Sequence, residues 1–190
     1  MSSPADADLV TERVTAGSYT LRPWEPADVA WVYHACQDAE IQRFTDIPKP
    51  YRPADAVALL DRSRRGRADG TGYAFAIVRT DNDELLGAID LHDVIHRDRG
   101  DVGYWLAPGA RGEGVATIAL GAITQWGFER LGLREVRVHV AATNVDSRRV
   151  AERAGFRAEA APSPQCPDGD DIVGGVTYVR GAGDTRGVAQ

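Results

Sequence analysis

A chain of 190 residues, 43% hydrophobic and 26% charged, is the size and composition of one globular domain. Its net charge of −6, with Lys49 the single lysine among 22 basic residues, argues against general nucleic-acid binding. It has no apolar run that could span a bilayer and no signal peptide in the acidic start MSSPADADLV. Its two cysteines, Cys36 and Cys166, fit no metal spacing, so the expectation is a metal-free, cytoplasmic protein.

Residues 1–16 are expected to be a flexible tail, 17–180 a single domain and 181–190 a second flexible tail. Ser18 to Arg22 reads as a short strand, ended by Pro23. Pro26 suits the first turn of a helix whose face is Val29, Val32, Tyr33 and Cys36. The prolines of Asp46–Tyr51 make that segment a loop. Ala54 to Arg65 reads as a helix offering Val57, Leu59 and Leu60 to the core, with Gly70 and Gly72 beyond its end. Its basic run, Arg62, Arg64, Arg65 and Arg67, reads as a solvated helix end. Tyr73–Val78 and Leu85–Leu91 read as strands joined by the turn Asp81-Asn82-Asp83, and His92–Asp98 as a polar connection.

The chain then becomes more informative. Val102–Leu106 alternates as a strand does and is closed by Pro108-Gly109. Val115, Ile118, Ala119, Ala122, Ile123 and Trp126 follow at helical spacing. Between them lies Arg111-Gly112-Glu113-Gly114-Val115-Ala116, a glycine-rich junction between a strand end and a helix start. Such a junction presents free N–H groups and suits phosphates. It is not a Walker A loop, since Gly114 is followed by Val115 and Ala116 rather than Lys and Ser/Thr. It is not a dinucleotide loop either: Thr117 stands where the third glycine belongs, and Glu135 begins the next strand instead of ending it. A nicotinamide-dependent oxidoreductase is therefore disfavoured.

Leu133–Val140 alternates as a half-buried strand, and Asn144-Val-Asp-Ser147-Arg-Arg-Val-Ala-Glu152-Arg-Ala-Gly155-Phe156 follows it. Together, Arg111-x-x-Gly114-x-Ala116 and this second run resemble the GNAT acetyltransferase superfamily, in its RimJ/RimL-like protein N-acetyltransferase branch. Arg157–Glu159 reads as a short strand, the proline-rich Ala160–Asp170 as a loop, and Ile172–Val179 as a last strand interrupted by Gly174-Gly175. The fold class is thus α/β (α+β mixed sheet). The resemblance implies a mostly antiparallel sheet flanked by about four helices. It also implies that the fourth and fifth strands, at Val102–Leu106 and Leu133–Val140, splay apart around acetyl-CoA.

The resemblance implies N-acetyl transfer from acetyl-CoA to a primary amine, by direct attack through a ternary complex. That amine could be a protein N-terminal α-amine or a small-molecule amine. The cofactor-binding residues it implies are Trp105, Leu106, Arg111, Gly112, Glu113, Gly114, Val115, Ala116, Thr117, Asn144 and Ser147. Ser147 is the candidate acid for the departing thiolate, and equally a first-turn residue beside a cap. Asp101 stands where the family often has a glutamate base, with Asp90, His92 and Asp171 as rivals. Tyr104 and Trp105 read as packing residues, and Glu152 as a surface or helix-pairing residue. Asp46, Asp90, Asp93, Asp168, Asp170 and Asp171 against Lys49 suggest an acidic mouth for a cationic acceptor, or simply turn-forming aspartates. A catalytically weak acyl-CoA-binding regulatory module is the alternative, and either a monomer or a homodimer is compatible with the chain.

Overall fold

Two strands, β5 (Arg99–Leu106) and β6 (Glu135–Ala141), run parallel for three rungs, from Arg99↔Glu135 to Asp101↔Arg137, and then part. Every other strand pairing in this computed structural model is antiparallel. The structure describes residues 9–95, 98–160 and 164–184. The other strands are β1 (Val14–Ala16), β2 (Tyr19–Arg22), β3 (Tyr73–Arg79), β4 (Leu85–Ile95), β7 (Arg157–Ala158), β8 (Gln165–Asp168) and β9 (Asp171–Gly181). The sheet order is β1-β2-β3-β4-β5-β6-β9-β7, with β8 paired to β9 outside this path.

Side-chain alternation sorts the split strands onto two faces. Val102, Tyr104 and Leu106 of β5, with Val136, Val138 and Val140 of β6, pack with α4 (Val115–Leu131) in the larger core. The opposite face is covered by α1 (Val29–Ala35), α2 (Ala39–Phe44) and α3 (Pro53–Asp69). Trp105 joins that second cluster and stacks on Trp31, with ring centroids 5.9 Å apart. The short α2 was not anticipated; Asp38 caps it by accepting from the Glu40 and Ile41 N–H groups. A last helix, α5 (Val145–Arg153), follows β6. No described helix is long and apolar enough to cross a membrane.

The structure corrects several boundaries. The expected N-terminal tail carries ordered elements from residue 9: Leu9 is buried in the core, and Val14–Ala16 forms β1. Trp126 Nε1 donates to Glu12 at 3.1 Å, tying this segment to α4. Arg67 is not solvated but 4% exposed. It donates to Leu9 O at 2.8 Å and Ala74 O at 2.7 Å, and lies over the Phe75 ring. Burial pushes its pKa down to about 10. Val57 is exposed; Ala56 takes the core position on α3. Ile118 is exposed likewise, because α4 buries a broad face that leaves it at the edge beside Gly17.

β4 runs on to Ile95 where a polar connection was expected; residues 96–97 of that segment lie outside the described residues. The expected loop Ala160–Asp170 contains β8, with residues 161–163 outside the description. Pro167 is tolerated there because, among the described residues, β8 pairs on one side only, with β9. Gly174-Gly175 does not interrupt β9. A Cβ on Gly175 would lie 2.5 Å from Cys166 Sγ and 2.7 Å from Val140 O, so glycine is what lets β8 and β6 close around β9. At the C-terminus β9 extends through Gly181, and residues 185–190 are not described.

Candidate active site

Where β5 and β6 diverge, a cavity of about 830 Å³ opens through the sheet. Past Asp101 the facing edges of the two strands share no rung, so their N–H and C=O groups there are open to a ligand. The cavity is lined from both faces: by Leu106, Val138 and Val140 on the α4 side, and by Asp90, Asp101 and His139 on the α1–α3 side.

At one end stands the glycine-rich loop. Gly112 and Gly114 have φ of +83° and +80°, and Gly114 is the N-cap of α4. The first helical bond runs from Ile118 N to Gly114 O, so the N–H groups of Val115, Ala116 and Thr117 have no intrahelical acceptor. Arg111 turns back to donate to Leu106 O at 3.1 Å and to Asp38 at 2.5 Å, which fastens the loop to the end of β5. Burial raises the Asp38 carboxyl, but Arg111 and the α2 N–H groups outweigh it and hold it below its usual value. Of the residues expected around the cofactor, Trp105, Leu106, Arg111, Gly112, Gly114, Val115, Ala116, Thr117, Asn144 and Ser147 all line the cavity. Glu113 does not; it pairs with Arg79 at 3.4 Å.

On the same side, Asn144 caps α5, its Oδ1 accepting from Ser147 N at 3.0 Å. The Ser147 hydroxyl is 2.7 Å from the Tyr104 hydroxyl, which also reaches Ser147 O at 3.2 Å. Burial is the main force pushing the Tyr104 phenol up, to about 12. Tyr104 was expected only to pack; its link to Ser147 spans 43 residues and has no local sequence signal. Glu152 ties α5 to the sheet instead of to another helix: it accepts from the hydroxyl of Tyr178 on β9 at 2.8 Å.

Across the sheet, Asp101 Oδ2 lies 3.3 Å from His139 Nε2, and His139 Nδ1 lies 3.1 Å from Thr177 Oγ1. Asp101 Oδ1 is buried with no hydrogen-bond partner among the described residues. Burial raises this carboxyl; the hydrogen bond and charge of His139, with His92 and Arg99, overcome that and lower it. Asp90 Oδ2 is 2.7 Å from His92 Nδ1. Gly103 lies between the pairs, and a Cβ there would be 3.1 Å from Asp90 Oδ1. Asp171 is exposed and does not line the cavity. A second hollow of about 320 Å³ lies between α3 and β3–β4 and shares Leu59, Asp90, His92 and Trp105 with the cavity.

A family model described as an acetyltransferase (GNAT) domain matches residues 19–157. The chain belongs to the GNAT acetyltransferases. This acetyltransferase is 23% identical over 164 residues to YnaD of Bacillus subtilis, an uncharacterized N-acetyltransferase, covering 86% of this chain and 90% of that one. Its fold is similar to that of RimL, a ribosomal L7/L12 alpha-N-protein acetyltransferase solved with coenzyme A. The TM-score is 0.80 at 19% identity, over 90% of this chain and 98% of the other. It is also similar to spermidine N-acetyltransferase from Vibrio cholerae, solved with CoA and spermine, with TM-score 0.75 at 18% identity over 88% and 97%.

The charges of the acetyltransferase's cavity are sorted by face. Arg111, Arg149 and Arg153 lie toward the loop and α5, with Asp146 among them; Glu40, Asp46, Asp90 and Asp101 lie toward α2 and β4–β5. The acidic mouth is therefore narrower than the sequence suggested. Of its six aspartates only Asp46 and Asp90 line the cavity, and Asp168 is bound by Arg43 at 2.5 Å and Thr143 at 2.8 Å. Lys49 donates to Gly169 O.

Proposed function

We propose that this acetyltransferase moves the acetyl group of acetyl-CoA to a cationic primary amine, by direct attack in a ternary complex within the cytoplasm. The observation that carries this reading is the continuous cavity through the sheet, with its phosphate-suited loop and arginines at one end and carboxylates at the other. The pyrophosphate would take the N–H groups at the start of α4. The pantetheine arm would pair with the open edges of β5 and β6, and the backbone near Trp105 and Leu106 would serve the thioester carbonyl.

The amine arrives from the acidic face. One proton passes to Asp101, whose Oδ1 has no hydrogen-bond partner among the described residues. The nitrogen attacks the carbonyl carbon, the carbon–sulfur bond breaks with its pair going to sulfur, and the Ser147 hydroxyl donates a hydrogen bond to the thiolate. The second proton, shed by the nitrogen as the amide forms, goes to that sulfur, so coenzyme A leaves as the thiol and Asp101 returns its proton to solvent. The second hollow, walled by Trp24, Leu59, Tyr73, Ala74 and Trp105, suits an acceptor with an apolar body behind its amine.

A screen of acetyl-CoA against peptides with free N-termini, polyamines, aminoglycosides and arylalkylamines, read as CoA release, tests the proposal. Turnover of a cationic amine, with a Michaelis constant that rises with salt, is the expected result. Tight acetyl-CoA binding with no turnover of any acceptor would instead mark a regulatory acyl-CoA-binding module.

A further inference from the structure

Ser147 does not stand alone in the cavity wall. Tyr104 projects from β5 into the larger core, and its hydroxyl meets both the hydroxyl and the carbonyl of Ser147, at 2.7 and 3.2 Å. Two hydrogen-bond arrangements satisfy these distances. In the first, Tyr104 donates to the Ser147 carbonyl and the serine hydroxyl donates to Tyr104. The serine proton then points away from the cavity. In the second, Tyr104 donates to Ser147 Oγ, and the serine proton is free for a third acceptor.

We propose that Tyr104 is a positioning residue that aims the Ser147 proton at the sulfur of departing coenzyme A by donating its own hydrogen bond to Ser147 Oγ. This rests on the acid role proposed for Ser147 and names what orients it. A thiolate in the cavity selects the second arrangement, because only that one gives its charge a donor. The chain phenol → serine → thiolate also polarises each bond in turn, so the last is stronger than an isolated serine bond. Burial, opposed by the Ser147 bond and reinforced by Tyr178, pushes the phenol up to about 12. Tyr104 therefore remains a neutral donor across the working range. An ionised phenolate would do the reverse and draw the serine proton toward itself. Of the two protons the ammonium nitrogen loses, the first goes to Asp101 and the second, released as the amide forms, goes to the sulfur that has taken the electron pair. Tyr104 and Ser147 hold the thiolate's charge until it arrives.

The test needs no acceptor. The probe is coenzyme A, whose bound thiol is titrated by its ultraviolet thiolate absorbance in four proteins: wild type, Tyr104→Phe, Ser147→Ala and the double variant. Tyr104→Phe keeps the ring in the core, and Ser147→Ala keeps the backbone N–H that Asn144 accepts. The charged groups around this stretch are the same in all four: Asp146, Arg149 and Arg153 from α5, and Asp101 and His139 from the sheet. A donor to the thiolate lowers its pKa. The thiol is expected to titrate lowest in wild type and about one unit higher in Tyr104→Phe, a tenfold change in ionisation constant. Ser147→Ala should give a raised value that adding Tyr104→Phe leaves unchanged. Tyr104→Phe titrating as wild type overturns the inference, and so do shifts that add in the double variant. Ser147→Ala titrating as wild type overturns the acid role of Ser147 itself. Failure of calorimetry to detect coenzyme A binding in wild type overturns the proposed function.

Discussion

Asp101, on the last rung that β5 and β6 share, meets His139, two residues beyond that rung on β6, with Oδ2 to Nε2 at 3.3 Å. The pair closes the fork of the sheet and leaves Asp101 Oδ1 buried without a hydrogen-bond partner among the described residues. Asp101→Asn keeps the shape and removes the proton acceptor. It should lower kcat on the order of 10²-fold with little change in acetyl-CoA affinity. Steady-state kinetics beside calorimetry checks this, and an unchanged kcat would remove Asp101 from the chemistry. The Asp101 carboxyl lies below its usual value, so its contribution to stability is present above the unfolded pKa of about 3.9 and lost as pH falls through the folded one. The stability gap between wild type and Asp101→Asn should accordingly close in acid.

His92 has the opposite sign. Its hydrogen bond to Asp90, against burial and with the charges of Asp90, Asp93 and Asp101, raises its pKa. The stabilisation is complete below the unfolded value of about 6.5 and disappears as pH rises through the folded one. His92→Gln should thus cost stability at pH 5.5 and little at pH 9. Urea unfolding at the two pH values measures it; an equal cost at both would show that protonation of His92 contributes nothing.

Gly114 caps α4 at φ +80°, yet a Cβ there would meet nothing within 4 Å. The cost of Gly114→Ala is therefore backbone conformation, about 1–2 kcal/mol. If the loop holds pyrophosphate, the added methyl also stands between ligand and backbone. Acetyl-CoA affinity should fall by more than the stability loss explains. Calorimetry on the folded variant decides it, and wild-type affinity would move the phosphate site elsewhere.

Arg22 and Asp28 form a buried bidentate pair, at 2.8 and 3.1 Å, while Asp83 reaches Arg22 from an exposed turn. Asp28→Ala removes the buried carboxylate and leaves the Arg22 guanidinium only Pro23 O and the exposed Asp83, and should cost about 3 kcal/mol. Asp83→Asn keeps a side chain that tolerates φ of 57° and should cost about 1 kcal/mol or less. Chemical unfolding of both variants tests the ranking, and equal losses would contradict it.

How much the sequence revealed depends on how local each device is. The strand Val102–Leu106, the loop glycines and the Asn144 cap are fixed by neighbours in the chain, and alternation or spacing exposes them. Tyr104 with Ser147, and Asp101 with His139, are joined only by tertiary packing; alternation told that Tyr104 and Trp105 point opposite ways but not what each would meet. Arg67 looked solvated because its acceptors, Leu9 O and Ala74 O, lie outside its helix. β8 looked like a loop because proline is a poor strand former, and an outermost position is invisible to composition.

A cavity lined from both faces of a sheet has consequences for the order of events. Under the proposed function the nucleotide enters on the α4–α5 side and the amine on the α1–α3 side, so neither obstructs the other's door. Coenzyme A then leaves without waiting for the acetylated amine, and each product competes only with the substrate that shares its entrance. Inhibition by coenzyme A should be competitive against acetyl-CoA and noncompetitive against the amine, and initial-rate plots should intersect. Parallel lines, the mark of an acetylated enzyme formed before the amine arrives, would mean that the two doors open at different times onto a covalent intermediate.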